Sequence, residues 1–145
     1  MNVSEKIVIL LDSFSRAEAQ EALNAYSGGG NDATRVVVAP ITDLMAEQKT
    51  ADAVDAVVSK NWMGGTAHKD GKRGALIAGA TQSEAITLMR CFKSVIPADS
   101  DPAFALVTKT GMGWKVGKYL AHIRKEHNFM KNADPSMDPD MKIVE

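Results

Sequence analysis

A repeated spacing limits what this chain can fold into more than any other feature. Four apolar runs of strand length fall into two pairs, K-I-V-I-L-L (6–11) with R-V-V-V-A (35–39), and G-A-L-I-A-G-A (74–80) with A-F-A-L-V-T (103–108). Ile7 to Val36 is 29 positions, and Ala75 to Phe104 is also 29. Near-continuous apolar runs of this length mark strands buried on both faces. Right-handed crossovers then make each half a parallel strand pair carrying helices.

Helix signals sit where that plan needs them. Ser15 opens S-R-A-E, a capping box with Glu18, ahead of Ala19, Ala22, Leu23 and Tyr26 at helical spacing. Gly28-Gly29-Gly30-Asn31-Asp32 closes that helix, and Pro40, which cannot donate to a ladder, ends the second strand. Residues 43–60 form a second helical region through Ala51, Val54, Val57 and Val58, with a break expected near Thr50. Thr81 and Glu84 give another capping box, ahead of Ile86, Met89, Phe92 and Val95. Gly111 and Gly113 free the backbone for a tight turn, and Val116, Tyr119, Leu120 and Ile123 form the core stripe of a last helix ending near Phe129.

The expected fold is therefore α/β: a tandem β-α-β-α repeat around one four-stranded mixed or parallel sheet, related by a pseudo-twofold. The copies are offset by 68, so that residues 35–42 lie over 103–110. Residues 1–131 read as one domain of two halves, 1–61 and 74–131, joined by a Gly/Lys-rich linker over 62–73. Residues 132–145, with two prolines and four acids, read as a flexible acidic tail.

At this point the second half resembles a known family. A-L-I-A-G (75–79), the helix after Ser83, P-A-F-A-L-V-T-K-T (102–110), Trp114, Leu120, Ile123 and Glu126-His127 are similar to domain-of-unknown-function family 3783, small proteins of anaerobic bacteria and archaea. The resemblance spans residues 74–129, and D-S-F-S (12–15) is similar to the family's G-F-S turn. G-A-T-Q (79–82) stands where the family has G-F-S, and G-M-G (111–113) where it has an Asn-containing turn. The resemblance implies an architecture and no activity, substrate or catalytic residue.

Composition narrows the function classes. With 145 residues, 45% hydrophobic and 24% charged, the chain suits one soluble domain with a real core. No stretch reaches the roughly 20 apolar residues of a membrane span, and M-N-V-S-E-K is no signal peptide, so a cytoplasmic protein with no membrane partner is expected. A lone Cys91, among Met89 and Phe92, excludes an internal disulfide and reads as a small buried hydrophobe. The net charge of −1 conceals a basic middle: residues 1–59 carry −5, 60–131 carry +7 and 132–145 carry −3. Such asymmetry suits an anionic partner, or charged surfaces meeting within the fold or a homodimer.

Two candidate sites follow. The T-K-T-G-M-G-W-K turn (108–115) leaves a strand and opens a helix, so its amides and the helix dipole are placed for an anion, with Thr108, Thr110, Gly111, Gly113, Trp114 and Lys115 around it. Neither nucleotide-binding glycine fingerprint is met there. The second is a basic surface of Lys69, Lys72, Arg73, Lys118, His122 and Lys125, with Trp62, Trp114 or Tyr119 for stacking. His122 and His127, five apart, do not share a face, whereas His122 and Glu126 make an ion pair; no metal set and no cofactor is expected. No acid–base pair or nucleophile constellation emerges, so the expectation is a non-enzymatic binding or regulatory module. The alternatives are a small enzyme or phosphate-binding protein acting at the 108–115 turn, and a nucleic-acid-binding protein using the basic second half.

Overall fold

Residues 7–12 form β1 (Ile7–Asp12), buried along its whole length between two layers of helices. The structure, a computed structural model, describes residues 6–60, 72–97 and 99–133. The chain continues through α1 (Arg16–Gly28), β2 (Val36–Pro40), α2 (Thr50–Val58), β3 (Gly74–Ala78), α3 (Gln82–Ser94), β4 (Ala103–Leu106) and α4 (Val116–Ala133). Short 3-10 turns precede β2, α2 and α4, at Ala33–Arg35, Met45–Glu47 and Gly111–Gly113.

The four strands make one mixed sheet in the order β2-β1-β3-β4. β1 runs parallel to β2 with Ile7 opposite Val36, and β3 parallel to β4 with Ala75 opposite Phe104, the two 29-residue spacings seen in the sequence. The central pair, β1 and β3, is antiparallel, with Ile9 opposite Ile77.

Alternation along β1 divides the interior into two cores. Ile7, Ile9 and Leu11 join Ala22, Tyr26, Leu88 and Phe92 under α1 and α3, which pack on each other. Val8 and Leu10 join Val54, Val57, Val116, Tyr119 and Ile123 under α2 and α4. A sheet covered on both sides has no polar strand face, which is why all its runs read as continuous apolar stretches.

Both capping boxes form. The Ser15 hydroxyl accepts from the Glu18 amide at 3.0 Å while the Glu18 carboxyl accepts from the Ser15 amide at 2.8 Å. Thr81 and Glu84 repeat this at 3.1 and 2.9 Å. The break expected near Thr50 is present: a 3-10 turn, then extended Gln48 and Lys49, then α2.

Several points differ from the sequence reading, beginning with β1 and β2, which each start and end one residue later than read. β3 stops at Ala78, because Gly79 has φ +82 and an added Cβ would lie 2.4 Å from the Lys6 carbonyl. β4 stops at Leu106, although the Val107 amide still donates to Ile77 O at 2.7 Å. α4 runs on to Ala133, past Phe129 and into the stretch read as tail. The 68-residue offset is two too long at the turns: Thr42 caps Met45 as Thr108 caps Gly111, a separation of 66. Most of the 62–73 linker and residues 134–145 lie outside the described residues.

Candidate functional site

The 108–115 turn is built from its own backbone. Gly111 N donates to Thr108 Oγ1 at 3.1 Å, Met112 N to Thr108 O at 3.1 Å, Gly113 N to Thr110 O at 3.1 Å and Trp114 N to Gly111 O at 3.0 Å. Val116 N donates across to Gln48 O at 2.9 Å, and Thr50 N to Trp114 O at 2.8 Å. The amides that an anion would need are thus engaged within the fold. Gly111 is buried against Tyr119, whose ring leaves no room for a Cβ, and Trp114 packs edge-on against Tyr119 and His122, with centroids 5.4 and 4.9 Å away. Thr110 and Lys115 are exposed; Lys115 lies 3.5 Å from the still more exposed Glu47, a contact of little energetic weight.

A different place collects polar chemistry. The C-terminal end of β1, the starts of β3 and β4, and the middle of α4 line an open cavity of about 450 Å³. Its interior is formed by Asp12, Gly74, Ala103, Leu120 and Ile123, and its sides by Arg73 and Arg124, with Lys72, Lys125 and Asn128 exposed at the mouth. Asp12 is only 2% exposed and accepts from the Ser13 hydroxyl at 3.0 Å.

Each arginine is held in place by the chain around it. Arg73 makes a fork to the Glu18 carboxyl at 2.6 and 3.0 Å, donates to Ser13 O at 3.1 Å and stacks over the Phe14 ring at 5.2 Å. Arg124 donates to Asp101 O at 2.8 Å and to Arg73 O, and Asp101 in turn meets the buried His127 at 2.6 Å. Ser13 and Asp101 both have positive φ, 66° and 52°, rare for residues with a Cβ. Each presents its carbonyl to one of the two arginines, so backbone strain and side-chain placement coincide at this cavity.

Electrostatics follow the geometry. Burial raises the Glu18 pKa, but the Arg73 and Ser15 hydrogen bonds and the Arg73 charge outweigh it, leaving the carboxyl below its usual range. Glu84 is also lowered, chiefly by the Thr81 amide and, against the upward pull of burial, by Arg35 at 3.0 Å. Burial pushes the Cys91 thiol up, away from the thiolate a nucleophile needs.

The structure brings together Lys72, Arg73 and Lys125 from the expected basic surface. Lys118 and His122 lie elsewhere on α4, His122 beside Trp114 and 3.7 Å from Glu126, and Lys69 falls outside the described residues. The sequence reading did not single out Asp12, Asp101 or Arg124, and weighed His127 only as a metal ligand with His122. Asp12 had a readable signal, an acid closing an otherwise apolar strand. Arg124 follows core residue Ile123 and so falls neither on the core stripe nor on the face of Lys118, His122 and Lys125.

Residues 75–130, from β3 through most of α4, match the model of a family described as Domain of unknown function (DUF3783), in agreement with the resemblance read over 74–129. No curated protein and no solved structure shows significant similarity to the chain. Among the described residues, no helix is long and apolar enough to cross a membrane.

Proposed function

We propose that this protein is a non-enzymatic binding module that holds a small anionic ligand in the cavity between the sheet end and α4. One observation carries the reading: Lys72, Arg73, Arg124 and Lys125 surround a cavity of about 450 Å³, within the size range of small-molecule sites. Lys125 attracts the anion from the mouth beside Lys72, while the two clamped arginines, each beside a carboxylate, fix the shape of the walls. The paired left-handed residues Ser13 and Asp101 support this, since such conformations persist where surrounding structure holds them for a purpose.

The architecture that carries the site is read as a tandem β-α-β-α repeat about a pseudo-twofold. Equal 29-residue registers, capping boxes at Ser15 and Thr81, and the Lys49–Lys115 bridge support that reading.

Thermal unfolding against a panel of phosphates, carboxylates and nucleotides tests the function. A ligand at about 100 times its dissociation constant adds roughly 2.7 kcal/mol, a shift of several degrees. The expected result is a shift with at least one anion that Lys125→Ala abolishes and Lys115→Ala leaves intact. The reverse pattern returns the site to the 108–115 turn, and a flat panel overturns the reading.

A further inference from the structure

Charge divides the outer face of one helical layer. α2 and α4 both cover the Val8 and Leu10 side of the sheet, α2 over β1 and β2 and α4 over β3 and β4. The face that α2 turns to solvent carries Asp52 and Asp55, three residues apart and so neighbours on the helix surface. On α4 the exposed Lys118, Lys125 and Phe129 fall along one line, within about 40° of each other around the helix.

These charges have no counter-ion at home. Among the described residues, the side chains of Asp52, Asp55, Lys118 and Lys125 make no hydrogen bond or ion pair. Glu47 reaches Lys115 at 3.5 Å where the two helices begin. The four charges farther along stand on the sides of α2 and α4 turned away from the sheet, where a second molecule can pair them. Each half of the layer also leaves one large hydrophobic side chain exposed. Leu44, 47% exposed, precedes the turn into α2, and Phe129, 66% exposed, stands on the lysine line of α4. Exposed ion pairs contribute little alone, so an interface needs such apolar area as well.

We infer that this face is the contact surface of a homodimer, in which α2 of one protomer lies against α4 of its partner, twice over. A twofold interface uses the same patch on both subunits, so the patch must complement itself. A layer that is acidic on α2 and basic on α4 meets that condition, whereas a patch of one sign repels its own copy. The division matches the chain as a whole, −5 over residues 1–59 and +7 over 60–131. Lys125 also stands at the mouth of the cavity, but association is read from mass and needs no ligand, so it is tested apart from the anion site.

The experiment is sedimentation equilibrium of the full chain and of two charge-reversed variants. The expected wild-type result is a mass that rises with concentration to that of two chains, with association weakening as salt is added. Lys118→Glu with Lys125→Glu makes both helices acidic, and Asp52→Lys with Asp55→Lys makes both basic. Each variant alone should associate at least about tenfold more weakly, since like charges then face each other. Mixed in equal amounts, the two should recover wild-type association, because every acid again faces a base. A wild-type chain that stays monomeric up to about 1 mM, the weak end of the affinity scale, overturns the inference. A dimer that both variants leave intact overturns it too, and so does a mixture of the two that fails to associate.

Discussion

The backbone amide and the side-chain hydroxyl of Thr50 both donate to the Trp114 carbonyl, each over 2.8 Å. Gln48 O returns the favour by accepting from Val116 N at 2.9 Å, so the entries of α2 and α4 are cross-linked by backbone. Thr50 is fully buried, so its hydroxyl has no water to fall back on. Thr50→Val removes the hydroxyl while keeping shape and amide. It should cost about 1 kcal/mol, lowering Tm by roughly 3 °C, measurable by calorimetry. An unchanged Tm would show that this seam contributes nothing beyond its backbone bonds.

The two glycines of the 111–113 turn should behave oppositely. A Cβ on Gly111 would lie 2.4 Å from the ring of the fully buried Tyr119, whereas one on Gly113 would meet nothing within 4 Å. Gly111→Ala is therefore expected to destabilise by about 3 kcal/mol through forced repacking. Gly113→Ala, at a position without positive φ, should be neutral or stabilise by about 0.5 kcal/mol. Denaturant midpoints of the two variants give the comparison directly.

The contrast also explains what the sequence made legible. Capping boxes, strand runs and the 29-residue registers are local or periodic signals, and Ser15, Thr81 and the Ile7–Val36 pairing carried them openly. The offset of the two turns was harder to read, because size is exchanged between them. Counted 66 residues apart, Met45 falls against Gly111 and Ala53 against Tyr119, and few side chains agree apart from Thr42 with Thr108 and Lys49 with Lys115. The cavity was illegible for a different reason. Asp12, Arg73 and Arg124 are far apart in sequence and meet only because β1 and β3 are antiparallel, and no local pattern specifies that.

Glu18 makes stability depend on pH in a defined window. Its pKa is lower folded than unfolded, so its contribution is present above the ordinary carboxyl range and is lost as pH falls through the folded value. Glu18→Gln keeps the shape but halves the fork to Arg73, and should cost about 2 kcal/mol near pH 7. The gap between variant and wild type should shrink as pH drops below about 4, because protonation does to Glu18 what the substitution does. Parallel urea melts at pH 7 and pH 3 test this; a gap of constant size would mean the fork's charge is irrelevant.

Arg124→Lys separates charge from geometry at the cavity wall. The guanidinium reaches two carbonyls at once, Asp101 O and Arg73 O, and lies 3.7 Å from the Asp101 carboxyl. A lysine keeps the positive charge, but a single ammonium cannot serve two carbonyls that a planar fork spans. At 18% side-chain exposure, water replaces the lost partner only in part. The variant should lose about 1–2 kcal/mol, the worth of a lost hydrogen bond from a charged donor, because Arg73 O still accepts from the Ala103 amide at 3.1 Å. It should also loosen the left-handed turn at Asp101, while Arg73 stays tied through the Ala103 amide and Glu18. Anion affinity, if it depends on the shape of the wall, then falls together with stability even though the cavity's charge is unchanged. Affinity that survives the substitution at full strength would assign ligand binding to the mouth lysines alone, and leave Arg124 a structural clamp.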